Sequence, residues 1–113
     1  MPDTSEITYD QFAAVDIRVG KIIQAEVPSW SKKLLKLTVT FGESQENRTL
    51  FSGIQTWYSP EELIDKQFPF ITNMAPKKMG EEFSQGMMLM ADTADRPILI
   101  EVPESIAPGT IIR

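Results

Sequence analysis

The stretch Leu35–Phe41, which reads LKLTVTF, alternates apolar and polar residues over its whole length. Successive side chains of a β-strand point to opposite faces, so this alternation predicts a strand with one buried and one exposed face. The four apolar residues would line a core, and the exposed face would consist of Lys36, Thr38 and Thr40. Gly42 and the polar run after it predict a turn that ends the strand.

Further strands are predicted on both sides of this stretch. Residues 15–19 alternate in the same way, and the strand that they begin is expected to continue to Pro28. Short apolar segments bounded by turn residues predict four more strands, at residues 48–52, 68–73, 87–92 and 97–102.

Two short helices are predicted between and before these strands. Thr8 and Gln11 have the spacing of a capping box, which predicts a helix over residues 8–14. The sequence SPEE at Ser59–Glu62 supplies an N-cap serine, a proline at the first helical position and a glutamate at the third, which predicts a second helix. The remaining segments predict a long polar loop at residues 76–85 and a turn at Pro108-Gly109.

Five or six short strands with two stub helices predict an all-β fold, because no segment provides a crossover helix for a parallel sheet. The chain has 113 residues, the size of one ordinary domain. We therefore expect a single closed or nearly closed barrel over residues 7–113, preceded by a frayed N-terminus at residues 1–6. Small barrels of this kind often bind oligonucleotides on one face and its flanking loops.

The residue inventory argues against catalysis. The chain contains no cysteine and no histidine, which removes disulfides, thiolate metal sites, cysteine nucleophiles and the commonest general base. The adjacent acidic pairs Glu61-Glu62 and Glu81-Glu82 have no spacing typical of a metal or glycosidase site. We expect a binding protein with no metal and no cofactor. The polar N-terminus and the lack of a membrane-spanning apolar run predict a cytoplasmic protein without membrane contact.

The basic residues predict a phosphate-binding face despite a formal net charge of −5. They occur in four groups that a barrel fold would bring to one side, with the acidic residues concentrated elsewhere. Lys36 belongs to the exposed face of its strand, and Lys77 and Lys78 lie in the polar loop, where Glu81 and Glu82 would weaken phosphate contacts. The alternative is that these are ordinary solvated charges. The groups are Arg18 with Lys21, Lys32 with Lys33 and Lys36, Arg48, and Lys77 with Lys78.

Several apolar residues leave two interpretations open. Trp30 beside lysines would stack on a base or pack over the barrel, whereas Trp57 and Tyr58 are expected to pack. Met88 and Met90 are expected in the core. Met87 would either close the loop or belong to a contact surface.

Six sequence blocks, which occur in the expected order, resemble the tRNA-binding domain family. This family includes the C-terminal domain of bacterial methionyl-tRNA synthetases, free-standing dimeric tRNA-binding proteins, the secretion chaperone CsaA and the domain of the endothelial monocyte-activating polypeptide. The resemblance covers residues 7–113. The blocks are Asp16–Ile22, Lys33–Val39, Arg48–Ile54, Tyr58–Leu63, Asn73–Met79 and Ser84–Met87.

The resemblance implies a five-stranded OB-fold that binds tRNA by its overall shape, without reading the anticodon. It implies RNA contacts from Lys33, Asn73, Lys77, Lys78, Ser84 and Met87. The chain is too short for a synthetase catalytic domain and lacks its signatures, so we expect a free-standing accessory protein with an aminoacyl-tRNA synthetase as a possible partner.

The two ends of the domain predict a homodimer. Tyr9 and Phe12 share one side of the predicted N-terminal helix, and Ile111 and Ile112 form an apolar tail. Two apolar ends of one small protein fit a symmetric interface, and the resemblance likewise implies that terminal segments build a dimer. The alternative is that each end closes its own barrel.

A different function is compatible with the same residues. A peptide-binding chaperone of the CsaA type would hold unfolded peptide segments in an apolar groove near the dimer seam. The methionine-rich loop and the negative net charge favour this second interpretation.

Overall fold

The computed structural model describes residues 5–113, so residues 1–4 of the expected frayed N-terminus lie outside the described part. It contains one α-helix, one 3-10 turn and ten strands in that part. Their bounds are α1 Tyr9–Ala13, β1 Ile17–Glu26, β2 Leu35–Thr40, β3 Arg48–Ser52, the 3-10 turn Pro60–Glu62, β4 Gln67–Ile71, β5 Lys77–Met79, β6 Glu82–Ser84, β7 Met87–Met88, β8 Met90–Asp92, β9 Pro97–Leu99 and β10 Ile111–Ile112.

Five antiparallel strands form the barrel in the order β3-β2-β1-β4-β7. Strand β3 also approaches β7, so the sheet curls into a nearly closed barrel. This confirms the expected all-β, OB-like fold. Two small hairpins, β5–β6 and β8–β9, are added to it, and β10 pairs with β1.

The long strand β1 reaches both halves of the barrel because it bends. Its pairing with β2 shifts register between Ile22 and Gln24, which is a β-bulge. At Gly20 a Cβ atom would lie 2.6 Å from the Phe70 ring and 2.7 Å from a Val39 methyl group. A residue without a side chain is therefore required where β1 crosses the core.

The apolar side of β2 is buried in the core, as the alternation of its residues predicts. Leu35, Leu37 and Val39 are fully buried and pack with Phe68 and Phe70 of β4. Met88 belongs to this cluster and Met90 packs against it, as expected. Tyr58 also packs on the core and donates a hydrogen bond from its hydroxyl to the Pro97 carbonyl (2.8 Å).

Several predicted elements differ from the structure. The loop predicted over residues 76–85 is a hairpin, because Gly80 adopts a positive φ of 61° and permits a two-residue turn between β5 and β6. The strand predicted at residues 87–92 is interrupted at Leu89, whose backbone N–H donates to the Pro69 carbonyl. The strand predicted at residues 97–102 ends at Leu99, and Val102 forms an isolated bridge to Gln67.

The two terminal elements lie at the same end of β1. The capping box of α1 is present, with Thr8 as N-cap and Gln11 as its partner. Strand β10 pairs with the beginning of β1, so the tail contributes to its own barrel.

The helix predicted at Ser59 is a single 3-10 turn. Within residues 5–113, no helix has the length and apolar character needed to cross a bilayer.

Candidate nucleic-acid interface

The β5–β6 hairpin, residues 77–84, lies against the barrel through one of its two faces. The Ser84 hydroxyl accepts a hydrogen bond from the Phe51 backbone N–H of β3 (3.0 Å). The Glu82 carboxylate lies 2.7 Å from the Lys36 Nζ of β2. Because side chains alternate along a strand, Glu82 and Ser84 define the inner face of the hairpin. Lys78 and Phe83 are paired across the hairpin and therefore share its outer face.

The β1–β2 loop, residues 27–34, lies against the turn of this hairpin. A Cβ atom at Gly80 would be 3.1 Å from the Trp30 indole, so this ring covers the glycine. The Trp30 ring also packs at 5.7 Å, centroid to centroid, from the Phe51 ring. The Trp30 side chain is 48% exposed. Its remaining surface packs against Gly80 of the hairpin and Phe51 of β3. The loop that carries Lys32 and Lys33 is thus a neighbour of the hairpin that carries Lys77 and Lys78.

These four lysines, Lys32, Lys33, Lys77 and Lys78, are all exposed, and we call this region of two adjacent segments the basic face. Within it Lys77, which is paired with Ser84, leaves the hairpin on the side opposite to Lys78. Members of two of the four predicted basic groups therefore lie on adjacent segments, whereas Arg18 and Arg48 of the other two groups donate hydrogen bonds to backbone carbonyls elsewhere. Lys36 differs, because its ammonium group is held between Glu82 and Glu26 (3.6 Å). The hydrogen bond to the Glu82 carboxylate raises the pKa of Lys36 above its ordinary value.

Two other predicted contact residues make structural hydrogen bonds. Ser84 is only 5% exposed, and its hydroxyl serves the β3 backbone. Asn73 is exposed, but its Oδ1 accepts from the Asp16 N–H (2.9 Å) and its Nδ2 donates to the Ala14 carbonyl (2.6 Å). Met87 is 42% exposed and points away from the core that buries Met88.

A second charged cluster lies at the end of the barrel where β1 begins. The Asp16 carboxylate accepts hydrogen bonds from Arg18 Nε (2.9 Å) and from the Thr72 hydroxyl, and the Arg18 bond is the main cause of the lowered Asp16 pKa. Arg18 Nη1 donates to the Gly109 carbonyl (3.1 Å), and Arg48 Nη1 donates to the Thr72 carbonyl (2.5 Å). Arg18 and Arg48 therefore hold chain segments together through these hydrogen bonds.

The terminal segments expose part of the predicted apolar patch. Tyr9 is 74% exposed, Phe12 39% and Ile111 45%, whereas Ile112 is partly buried. A shallow cavity of about 140 Å³ lies between α1 and β10 and is lined by these four residues among others.

No set of three or more acidic side chains within residues 5–113 is arranged to hold a metal ion. Each buried side-chain nitrogen and oxygen in this part of the chain has a hydrogen-bond partner. The basic face offers cations for contact with an anionic surface, and Met87 adds an exposed apolar side chain after the hairpin.

A family model described as "Putative tRNA binding domain" matches residues 17–111. The chain belongs to the tRNA-binding domain family. The matched range contains the whole barrel and the basic face of this tRNA-binding domain. The family assignment agrees with the resemblance of the six sequence blocks.

A methionine–tRNA ligase from Methanococcoides burtonii is 45% identical to this tRNA-binding domain over 107 residues. The match covers 94% of the chain but only 16% of that ligase, so the chain corresponds to a small part of such relatives.

Two solved structures are similar to this tRNA-binding domain in both fold and sequence. The MetRS-related protein from Pyrococcus horikoshii has a TM-score of 0.91 and 39% identity, with 97% of this chain and 100% of that chain covered. The CsaA chaperone protein from Picrophilus torridus has a TM-score of 0.87 and 32% identity, with 96% and 100% covered.

Proposed function

We propose that this domain binds tRNA through the basic face, recognising the shape and backbone of the RNA with little dependence on sequence. The observation that carries the proposal is the contact of Trp30 with Gly80, which joins the loop of Lys32 and Lys33 to the hairpin of Lys77 and Lys78. Lysine contacts to phosphates position a nucleic acid without reading its bases. The family match over residues 17–111 supports tRNA as the ligand.

Within this proposal the predicted contact residues divide into two groups. Lys33, Lys77, Lys78 and Met87 have exposed side chains and are proposed to touch the RNA. Three others are proposed to support the interface from within the protein, since their polar groups are engaged there: Lys36, Asn73 and Ser84.

We further propose a homodimer formed through α1 and β10. Tyr9, Phe12 and Ile111 remain exposed around the cavity between the two elements, and a second copy of the same patch would cover them. A two-fold dimer presents two basic faces to one large ligand, which raises affinity by increasing the effective concentration of the second contact.

We propose that the domain acts as a non-catalytic, free-standing cytoplasmic protein that accompanies an aminoacyl-tRNA synthetase. The Pyrococcus horikoshii MetRS-related protein supports this proposal because its whole solved chain is covered by the match. The similarity to part of a methionine–tRNA ligase points to the same pathway of tRNA charging.

A second candidate function is the binding of unfolded peptides, since the similar protein from Picrophilus torridus is named a chaperone. The exposed apolar side chains Met74, Phe83 and Met87 at the hairpin favour it, because they offer contacts to an apolar segment. The net charge of −5 also reduces the attraction for polyanions.

Titrating the binding of bulk tRNA with salt separates the two functions. Phosphate contacts release counterions, so tRNA affinity should fall steeply as the salt concentration rises, whereas peptide binding should not. We call the slope of log K for tRNA binding against the logarithm of the salt concentration the salt slope. The double variant Lys77→Ala/Lys78→Ala should weaken tRNA binding and reduce the magnitude of the salt slope by about 1 to 2.

Lys66→Ala serves as a control for the loss of a positive charge outside the basic face. Lys66 is exposed immediately before β4, whereas the hairpin follows the other end of that strand. Unchanged affinity of the double variant at low salt would show that the basic face is not the RNA site.

A further inference from the structure

Phe83 is the most exposed phenylalanine of the domain, with 54% of its surface accessible. Its hairpin strand is fixed by Ser84 and Glu82 on the inner face, so the Phe83 ring is held on the outer face and cannot turn into the core. More than half of this apolar surface lies in water, so packing within the monomer uses less than half of it. A binding role therefore explains its position better than packing does.

The neighbours of the Phe83 ring match the chemistry of a nucleotide. Lys78 is directly opposite Phe83 across the hairpin, and both side chains project from the same face. A groove of about 520 Å³ is lined by Phe83 together with Thr49, Pro76, Glu82 and Gln85, and the Glu82 carboxylate is paired with the Lys36 ammonium group. A cation beside a flat apolar surface and an amide suits a ligand unit with a phosphate, a flat base and polar base edges.

The groove is held open by hydrogen bonds that do not involve the Phe83 ring. The Gln85 backbone N–H donates to the Thr49 carbonyl (2.9 Å), and the Gln85 side-chain oxygen accepts from the Thr49 N–H (3.1 Å). These two bonds fix the segment that follows β6 to β3. The floor of the groove therefore exists before a ligand arrives, which reduces the entropy lost on binding.

We propose that Phe83 is a base-stacking residue, on which an unpaired nucleobase of the RNA stacks while Lys78 contacts a neighbouring phosphate. This inference rests on the proposed RNA-binding function and adds to it a preference for unpaired nucleotides, since bases inside a duplex do not expose their faces. Stacking tolerates every base because each has a π-face, so the preference is structural and leaves sequence independence intact.

The test compares Phe83→Leu, Phe83→Trp and the wild-type protein with three probes: bulk tRNA, an unstructured single-stranded RNA 10-mer and a blunt RNA duplex. Phe83→Leu keeps an apolar side chain but removes the aromatic face. It should weaken the binding of tRNA and of the single strand about tenfold without changing the salt slope. Phe83→Trp should retain wild-type affinity, and duplex binding should be equal for all three proteins.

Each outcome decides between this inference and the proposed function. If Phe83→Leu binds tRNA and the single strand as tightly as the wild type does, while Lys77→Ala/Lys78→Ala binds more weakly, Phe83 is not a stacking residue and the proposed function stands. If the wild type shows no salt-dependent RNA binding, the proposed function itself fails. If Phe83→Leu weakens the binding of a fluorescent unfolded peptide but not of RNA, the ring belongs to a peptide surface and the inference is overturned.

Discussion

The Nζ of Lys36 lies 2.7 Å from the Oε1 of Glu82, and this ion pair joins β2 of the barrel to β6 of the hairpin. The exposed face of β2, which the alternation of residues 35–41 predicts, therefore does not present Lys36 as a free cation. Glu82 fixes the hairpin in position, whereas Glu81 is exposed in the turn beside it. The two adjacent glutamates thus have different roles.

This difference predicts unequal effects of removing each charge. Glu81→Gln should strengthen tRNA binding, because a like charge near the phosphates is removed and no contact of the hairpin is lost. Glu82→Gln removes the same charge but also the Lys36 pair, so it should bind tRNA more weakly than Glu81→Gln. It should also lower the free energy of unfolding by about 0.5–1 kcal/mol.

Affinity at low salt and urea unfolding of the two variants check this prediction. Equal affinities of the two variants, with equal unfolding free energies, would contradict the positioning role of Glu82.

The Trp30–Gly80 contact predicts that the hairpin turn does not tolerate a side chain. Gly80→Ala must adopt a positive φ of 61° and place its Cβ 3.1 Å from the indole. The backbone conformation alone should cost about 1–2 kcal/mol of unfolding free energy. The displaced hairpin should also weaken tRNA binding.

Gly53→Ala is the matched control, since its Cβ would meet no other described atom within 4 Å and its φ is not in the positive region. Thermal unfolding of both variants measures the difference. Gly80→Ala with the stability and the tRNA affinity of Gly53→Ala would show that the indole and the turn are not coupled.

The Asp16 carboxylate predicts a component of stability that is lost in acid. Its hydrogen bond from Arg18, helped by that from Thr72, lowers its pKa in the folded state. A lowered folded pKa stabilises the protein above the unfolded value of about 3.9, and this stabilisation disappears as the pH falls through the folded value. Asp16→Asn should therefore be less stable than the wild type at pH 7, and the difference should shrink as the pH falls below the unfolded value of about 3.9.

Urea unfolding at several pH values measures this dependence, with the exposed Glu104→Gln as a control for general charge effects. A stability difference between wild type and Asp16→Asn that stays constant from pH 7 down to pH 2 would refute the linkage.

Local patterns in the sequence determined the barrel strands and one helix cap. The alternation of residues 35–41 predicts β2 and its buried face, and the predicted bounds of β3 are those observed. The capping box at Thr8 is present. These features depend on residues within a few positions of one another, which is why periodicity and capping rules are sufficient for them.

The candidate interface depends on contacts between distant residues, and the sequence alone did not predict these. Trp30 meets Gly80 and Ser84 meets Phe51 only after the barrel has formed. The two strands of the hairpin have three residues each, too few for alternation to be recognised, so residues 76–85 were expected to be a loop. The one available signal was the glycine between two short segments that contain apolar residues, which is typical of a two-residue hairpin turn.

The terminal patch leads to the last prediction. Strand β10 pairs with β1 of the same chain, so deleting residues 108–113 would damage the barrel. A loss of the dimer could then not be separated from a loss of folding. Ile111→Asp is the sharper change, because this side chain is 45% exposed and the monomer should therefore tolerate a charge there. In a two-fold dimer the same substitution places two charges in one apolar interface, where their desolvation opposes association.

Sedimentation velocity at micromolar concentration should therefore show a dimer for the wild type and a folded monomer for Ile111→Asp, with circular dichroism unchanged. The variant should bind tRNA more weakly, because a monomer offers one basic face to a ligand that a dimer contacts twice. Ile98→Asp is the matched control, since Ile98 is also a half-exposed isoleucine but lies in the β8–β9 hairpin. A wild-type protein that sediments as a monomer, or an Ile111→Asp variant that remains a dimer, would contradict an interface built on α1 and β10.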